Sequence, residues 1–184
     1  MRAPDLELLR QAQQGDEGAF HELADRHASG LYRLAVALVG NTADAEDIVQ
    51  ETFLAALQGM GAFRRRSSVK TWLYRILSKR AARCHRTRLR HAASPLYDDA
   101  EEPGRGVGRG AGPSASGATD TRLDVTEILQ GLSTDHRRVI VLRELEGLSY
   151  AEIAEVLGLP LGTVESRIAR ARKELRMRLD GYLG

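Results

Sequence analysis

At 184 residues the chain has room for one medium domain or two small lobes, and lobes of that size bury only about 60% of their unfolded surface. The formal net charge of +2 hides a segregation, since residues 1–61 carry ten acids and four Lys/Arg while residues 64–90 carry eleven Lys/Arg and no acid; this predicts an acidic docking surface and a separate polyanion-binding one. Cys84 is the single cysteine, which excludes an intramolecular disulfide and a thiolate zinc cluster, and no run approaches 18 apolar residues, so a cytoplasmic protein without membrane insertion is expected.

A first short helix is predicted over residues 5–14, with Leu6, Leu8, Leu9 and Ala12 as apolar positions and Gly15 as its interruption. Asp16 then caps a helix in which Phe20, Leu23, Ala24 and His27 share a stripe that Leu31, Leu34, Ala35 and Leu38 continue. His21 and His27 have no carboxylate or thiol at a metal-ligand spacing, so no metal or other cofactor is expected. Gly40 ends this helix and Asn41 or Thr42 opens the next, whose inner stripe is Ala45, Ile48, Val49, Thr52, Ala55 and Ala56. Its remaining faces carry Asp44, Glu46, Asp47, Gln50 and Glu51. A di-metal carboxylate bundle would need Glu-x-x-His pairs on facing helices, and none is present, so the acidic face reads as a protein-docking surface.

Gly61, Ser67 and Ser68 mark a loop, and Thr71 is a candidate cap for a helix running from Trp72. Leu73, Leu77, Ala81 and Cys84 fall on its buried side; Trp72, Arg75, Lys79, Arg83 and Arg86 fall on the other. A basic stripe headed by Phe63, Trp72 and Tyr74 is the composition expected where unstacked bases are held against rings while cations track phosphates. The plainer alternative makes Trp72 core and the arginines solvated. Residues 93–121 lose all apolar period and are rich in Gly, Pro, Ser and acids, which predicts a flexible linker. Its relaxed span is near 30 Å from about 5 to 6 Å times the square root of its length, and its extended reach is about 95 Å.

Helix resumes over residues 122–132 through Leu123, Ile128 and Leu129. Ser133 or Thr134 caps another, with Val139, Ile140, Leu142 and Leu145 inside and Gly147 at its end. Ser149 and Glu152 have the spacing of a capping box, so a helix starts at Tyr150, with Ala151, Ile153, Ala154 and Leu157 on its apolar face and Gly158 as its stop. After this tight turn, Val164, Ile168, Ala171, Leu175 and Leu179 define a second helix that packs on the first. Ser166, Arg167, Arg170, Arg172, Lys173 and Arg176 point outwards. Two short helices around a Gly-containing turn, the second rich in arginine, suit a major-groove reader. A helical hairpin with a solvated basic face is the alternative, and cap, turn and charge placement together favour DNA. The fold class is therefore all-α: two small helical domains joined by a flexible linker, the second containing a helix-turn-helix.

The succession DAEDIVQETFLAAL, AFRRRSSVKTWLYRIL, a linker, and RRVIVLRELEGLSYAEIAEVLGLPLGTVESRIARARKEL resembles the extracytoplasmic-function (ECF) sigma factors of bacterial RNA polymerase over nearly the whole chain. The resemblance implies that residues 1–92 form sigma domain 2, which docks on the clamp coiled coil of the polymerase largest subunit and melts the minus-ten element. Residues 122–184 would form sigma domain 4, which sits on the flap of the second-largest subunit and reads the minus-thirty-five element. By the same resemblance Asp44, Asp47, Gln50 and Glu51 match the polymerase-docking helix. The loop carrying Phe63, Arg64, Arg65, Arg66, Ser67, Ser68 and Lys70, up to Thr71, matches the capture site for a flipped base. Trp72, Tyr74 and Arg75 match the helix beneath the melted strand, extended here by Lys79; Ser166, Arg167 and Arg170 match the minus-thirty-five face. The implied partners are RNA polymerase core and promoter DNA, with room for an anti-sigma protein. Lys79 and Arg83 stand where family members usually have Asn and Asp, Glu165 stands where many carry a base, and the linker is longer and richer in Gly than usual. The alternatives are a stand-alone helix-turn-helix regulator, for which no dimer seam is left over, and an enzyme, for which no nucleotide loop, nucleophile elbow or HExxH pair is present.

Overall fold

The computed structural model describes residues 3–64, 67–93 and 125–183, with side chains over 3–64, 67–84 and 128–180. The predicted linker from residue 94 on, together with Arg65, Arg66 and Leu123, lies outside the described residues, as does the side chain of Arg86, whereas Ala93 still belongs to the helix before it. The described residues form helices and turns and no strand.

The first lobe contains α1 (Asp5–Gln13), α2 (Glu17–Val39), α3 (Thr42–Gly59) and α4 (Val69–Ala93). Local chemistry sets most of the boundaries. Asp16 accepts the Ala19 amide at 3.1 Å, and Gly40 at φ 81° ends α2 in the left-handed region that favours glycine. Asn41 accepts the Asp44 amide at 2.9 Å and so opens α3. At α4 the cap is Ser68, whose hydroxyl accepts the Thr71 amide at 3.0 Å, so the helix begins at Val69 rather than after Thr71. The expected cap, Thr71, lies inside the helix instead, and Val69, 2% exposed, is drawn into the core at its start. Leu9, Leu23, Leu31, Leu34, Leu73 and Leu77 are fully buried, and Ala45 and Ala56 let α3 approach closely. Truncating one such leucine to alanine typically costs about 2–5 kcal/mol. Leu6, by contrast, remains exposed.

The second lobe contains α5 (Val125–Gln130), α6 (Thr134–Ile140), a π-helical turn (Val141–Leu145), α7 (Tyr150–Leu157) and α8 (Leu161–Leu183). Ser133 caps α6, and both bonds of the Ser149–Glu152 capping box are present at α7. Gly158, at φ 65°, makes the turn between α7 and α8. Ile153 and Val156 bury the inner face of α7 against Val164, Ile168 and Ala171 of α8. Val156 therefore takes the role expected of Ala151, which is exposed. Leu145 is also exposed, against expectation. The π turn, closed by the Glu146 amide on the Val141 carbonyl at 3.0 Å, adds a residue to the helix end; it leaves Leu145 outward and Glu146 8% exposed.

The two lobes pack directly on each other, α7 against α4 and α6 with its π turn against α2, and their buried apolar residues form one cluster. Glu146 is the polar centre of this contact. Its carboxylate accepts from Arg33 Nε at 2.8 Å and Nη2 at 2.6 Å and from the Tyr74 hydroxyl at 2.5 Å, with Lys70 Nζ 3.4 Å away. Lys70 also donates to the Glu146 carbonyl at 2.6 Å. Beside this centre, Thr71 donates to Glu152 at 3.0 Å and Arg75 to Glu155 at 2.6 Å. Gly30 faces the same point from α2, where any Cβ would run into the Tyr74 hydroxyl and the Glu146 carboxylate.

Burial alone would raise the Glu146 carboxyl, but hydrogen bonds from Tyr74 and Arg33 and the charges of Arg33 and Lys70 outweigh it and hold the group below its ordinary value of 4.5. Burial, then the neighbouring Glu146, pushes the Tyr74 phenol well up, so it stays a donor. A depressed carboxyl stabilises the contact in full above its free value and ceases to do so as pH falls through the bound one. Small-angle scattering should therefore show a compact chain at neutral pH whose radius of gyration grows below about pH 4.5 while circular dichroism still reports helix. A Glu146→Gln variant should lack that transition. A radius that does not respond to pH, or responds equally in the variant, would contradict the assignment.

Candidate nucleic-acid and polymerase interface

The acidic and basic stretches that are separate in sequence meet in space. Asp44, Asp47 and Glu51 of α3 and Lys79, Arg80 and Arg83 of α4 line a common groove of about 840 Å³, floored by Ile48, Ala55, Ile76 and Cys84. Arg80 reaches across it to Glu51 at 2.7 Å. Ile48 is buried, which turns Asp47, Gln50 and Glu51 outwards. Asp44 is tied to the cap by Asn41 at 2.6 Å, leaving Asp47 and Gln50 as the outer contact positions of α3. The expectation of two separate charged surfaces is thus modified: α3 carries its acids along one wall of a groove whose other wall is basic.

Cys84 borders this groove as a half-buried free thiol. His27 is buried and bonds Asp5 at 2.7 Å, which accounts for it as a structural residue.

The rings at the head of α4 are packed rather than presented. Phe63 and Trp72 lie 5.2 Å apart with their planes tilted by 56°, Trp72 is 7% exposed and Tyr74 is fully buried. Arg64 is exposed and Ser67 half-buried, while Ser68 is spent on the cap. Lys70 and Arg75 are both turned towards the second lobe, on Glu146 and Glu155. Lys79 is exposed. Most of the residues expected to handle a melted strand thus lie together, and Lys70, Thr71, Tyr74 and Arg75 lie under α7 and the turn before it.

On α8, burial of Val164, Ile168 and Ala171 leaves Glu165, Ser166 and Arg170 on the outer side, as helical spacing requires. Arg170 is exposed with no ion pair among the described residues. Ser166 donates to the Thr163 carbonyl at 3.0 Å. Arg167 is less free: it reaches Asp135 of α6 at 2.8 Å, and Arg172 is held by Glu144 at 2.7 Å. The arginine face is therefore partly fixed by acids from the same lobe. That pre-orients Arg167 and leaves Arg170 as the open cation of the first three turns.

Three residues of this region carried no sequence expectation: Arg33, Glu146 and Glu155. One signal for Glu146 existed. It is an acid at the carboxyl end of a helix, where the backbone dipole mildly disfavours negative charge and a nearby cation is favourable. Arg33 had no comparable signal on its own helix, since its partner lies 113 residues away.

Two family models match the chain: Sigma-70 region 2 over residues 23–91 and Sigma-70, region 4 over residues 122–175. The ECF RNA polymerase sigma factor SigM of Mycobacterium tuberculosis is 35% identical over 179 residues, 97% of this chain and 86% of the relative. SigW of Bacillus subtilis, another ECF RNA polymerase sigma factor, is 34% identical over 180 residues, 93% of this chain and 94% of the relative. Among solved structures, CnrH in complex with the cytosolic domain of CnrY is 31% identical with a TM-score of 0.66, covering 96% of this chain and 97% of that one. The sigma factor RpoE in complex with the anti-sigma factor NepR, from Bartonella quintana, is 29% identical with a TM-score of 0.64, covering 86% of this chain and 97% of that one. With a helix-turn-helix in one lobe, an acidic helix and a basic, aromatic-headed helix in the other, and relatives that match along nearly its full length, the chain belongs to the ECF sigma factors of RNA polymerase.

Proposed function

We propose that this chain binds RNA polymerase core and directs promoter-specific initiation, with residues 1–92 docking on the largest-subunit clamp and opening the minus-ten element. Residues 122–184 read the minus-thirty-five element from the second-largest-subunit flap, and residues 93–121 join the two. The observation that carries the reading is the capped α7–turn–α8 unit, which buries one side of α8 and presents Ser166 and Arg170 on the other. Asp47 and Gln50 supply the open docking positions, beside Asp44 and Glu51. Phe63, Arg64, Ser67, Lys70, Trp72, Tyr74 and Arg75 supply strand contacts once the second lobe has moved away from α4. The chain works as a non-enzymatic initiation factor in the cytoplasm; none of the helices, among the described residues, is long and apolar enough to cross a membrane. The solved relatives CnrH and RpoE each appear with a bound partner, and an anti-sigma protein is proposed here too, with the α3–α4 groove as a seat for it. Stand-alone regulation is not favoured, because the full-length relatives named above are polymerase sigma factors.

Docking is tested by Asp47→Lys with Gln50→Lys, both exposed positions whose substitution shifts stability by under about 0.5 kcal/mol. Core affinity should fall while the melting temperature stays near wild type, and unchanged affinity would overturn the assignment. Promoter reading is tested by Arg170→Ala. A bidentate guanine contact predicts a loss of about 1–3 kcal/mol and relaxed preference at one base pair; a phosphate contact predicts uniform weakening and a salt slope lower by about one. Wild-type transcription from a minus-thirty-five-dependent promoter would remove Arg170 from the reading face.

A further inference from the structure

A carboxylate with two guanidinium N–H groups on one oxygen and a phenol and an ammonium at the other occupies a site that suits any planar or tetrahedral oxyanion. Arg33 closes it with two hydrogen bonds at 2.8 and 2.6 Å, Tyr74 with one at 2.5 Å, and Lys70 stands 3.4 Å off. All three donors belong to the first lobe, and the occupant, Glu146, belongs to the second. Gly30 makes the site possible, because a side chain there would fill the space of the carboxylate. The donors sit where α2 meets the first turns of α4, under the second lobe, in the same helix as Arg75 and a few residues after Arg64 and Ser67 in the chain. Arg33 itself keeps 46% of its side chain exposed, so the site borders open surface.

From this geometry we infer that Arg33, Lys70 and Tyr74 form a binding site for a backbone phosphate of single-stranded DNA, and that Glu146 occupies it as a tethered mimic that masks the first lobe until the lobes separate. The inference rests on the strand-handling role proposed above and adds to it a residue, Arg33, and a reason for the packed state. Two flanking contacts act in the same sense: Glu155 neutralises Arg75 at 2.6 Å and Glu152 takes the Thr71 hydroxyl at 3.0 Å. The whole acidic edge of α7 and of the turn before it thus lies where a polyanion would run. Lys70 can turn from the Glu146 carbonyl to a phosphate oxygen without moving its own helix. Opening therefore exchanges one set of anionic acceptors for another of equal chemistry, so DNA and the second lobe compete for the same donors.

The test uses the full chain and a fluorescein-labelled 15-nucleotide single strand of mixed sequence, with anisotropy read over a salt series. Glu146→Gln and, separately, Glu155→Ala should bind on the order of tenfold more tightly, as expected if one charge-assisted contact no longer competes. The salt slope should steepen by about 0.7 for each phosphate newly contacted. Adding Arg33→Ala to Glu146→Gln should abolish the gain if Arg33 is the phosphate ligand. Scattering on the same samples reports opening, and circular dichroism reports retained helix. Variants that open yet bind the strand with wild-type affinity and slope would overturn the mask, as would a wild-type chain that is already extended. A gain that survives Arg33→Ala would overturn the phosphate site. Transcription by wild-type holoenzyme is measured alongside: normal transcription without a Glu146→Gln gain removes the mask and leaves initiation standing, whereas a gain without transcription supports the site and counts against initiation.

Discussion

One carboxylate, Glu146, fixes how the two halves of this chain sit together. A buried charge is costly unless its partners satisfy it, and here three hydrogen bonds, two from Arg33 and one from Tyr74, and the nearby Lys70 ammonium do so from the opposite lobe. Buried ion pairs of this kind seldom add much net stability, because desolvation offsets the attraction, but they choose one geometry among many. The apolar contacts around Glu146 supply attraction without direction, and the carboxylate supplies the register. The contact need not be strong. Because the lobes belong to one chain, they meet without an association step, so a weak interface suffices to keep them together.

The local chemistry of the chain was legible and its long-range chemistry was not. Ser149 with Glu152, Asp16, Ser133 and Gly158 all act at the helix ends where their spacing put them, because a cap is decided within four residues. The second lobe's fold and the buried stripe of α8 follow from the same short-range rules. Tyr74 is the clearest failure of those rules. Its position on α4 next to basic residues suggested a ring open to bases, yet it is fully buried under a turn 72 residues away. Leu145, expected inside, is exposed for a local reason, the π turn, which no apolar period announces.

Charge segregation in the sequence likewise needed the third dimension to be read. The acids of α3 and the bases of α4 are placed on facing walls, and the Arg80–Glu51 bridge spans them. Such a groove offers both signs of charge to a partner, which suits specific protein docking better than general attraction to polyanions. On the function proposed here, the bases left for DNA are Arg64, Lys70 and Arg75 at the head of α4 with Arg33 of α2, and in the second lobe Arg170. Part of the first group is held by acids of the second lobe. A single packing contact thus couples the head of α4 to the position of the helix-turn-helix lobe.

That coupling is tested most directly by the distance between the lobes. Spin labels at Glu17 on α2 and Met177 on α8, both exposed, introduced in a Cys84→Ser background, report it by pulsed dipolar spectroscopy. The account predicts a single short distance in the free chain and a much longer one when the chain is bound to polymerase core on promoter DNA, where the lobes grip sites about two helical turns apart. A free chain with the broad, long distribution of two independent lobes, or a promoter complex that keeps the short distance, would contradict it.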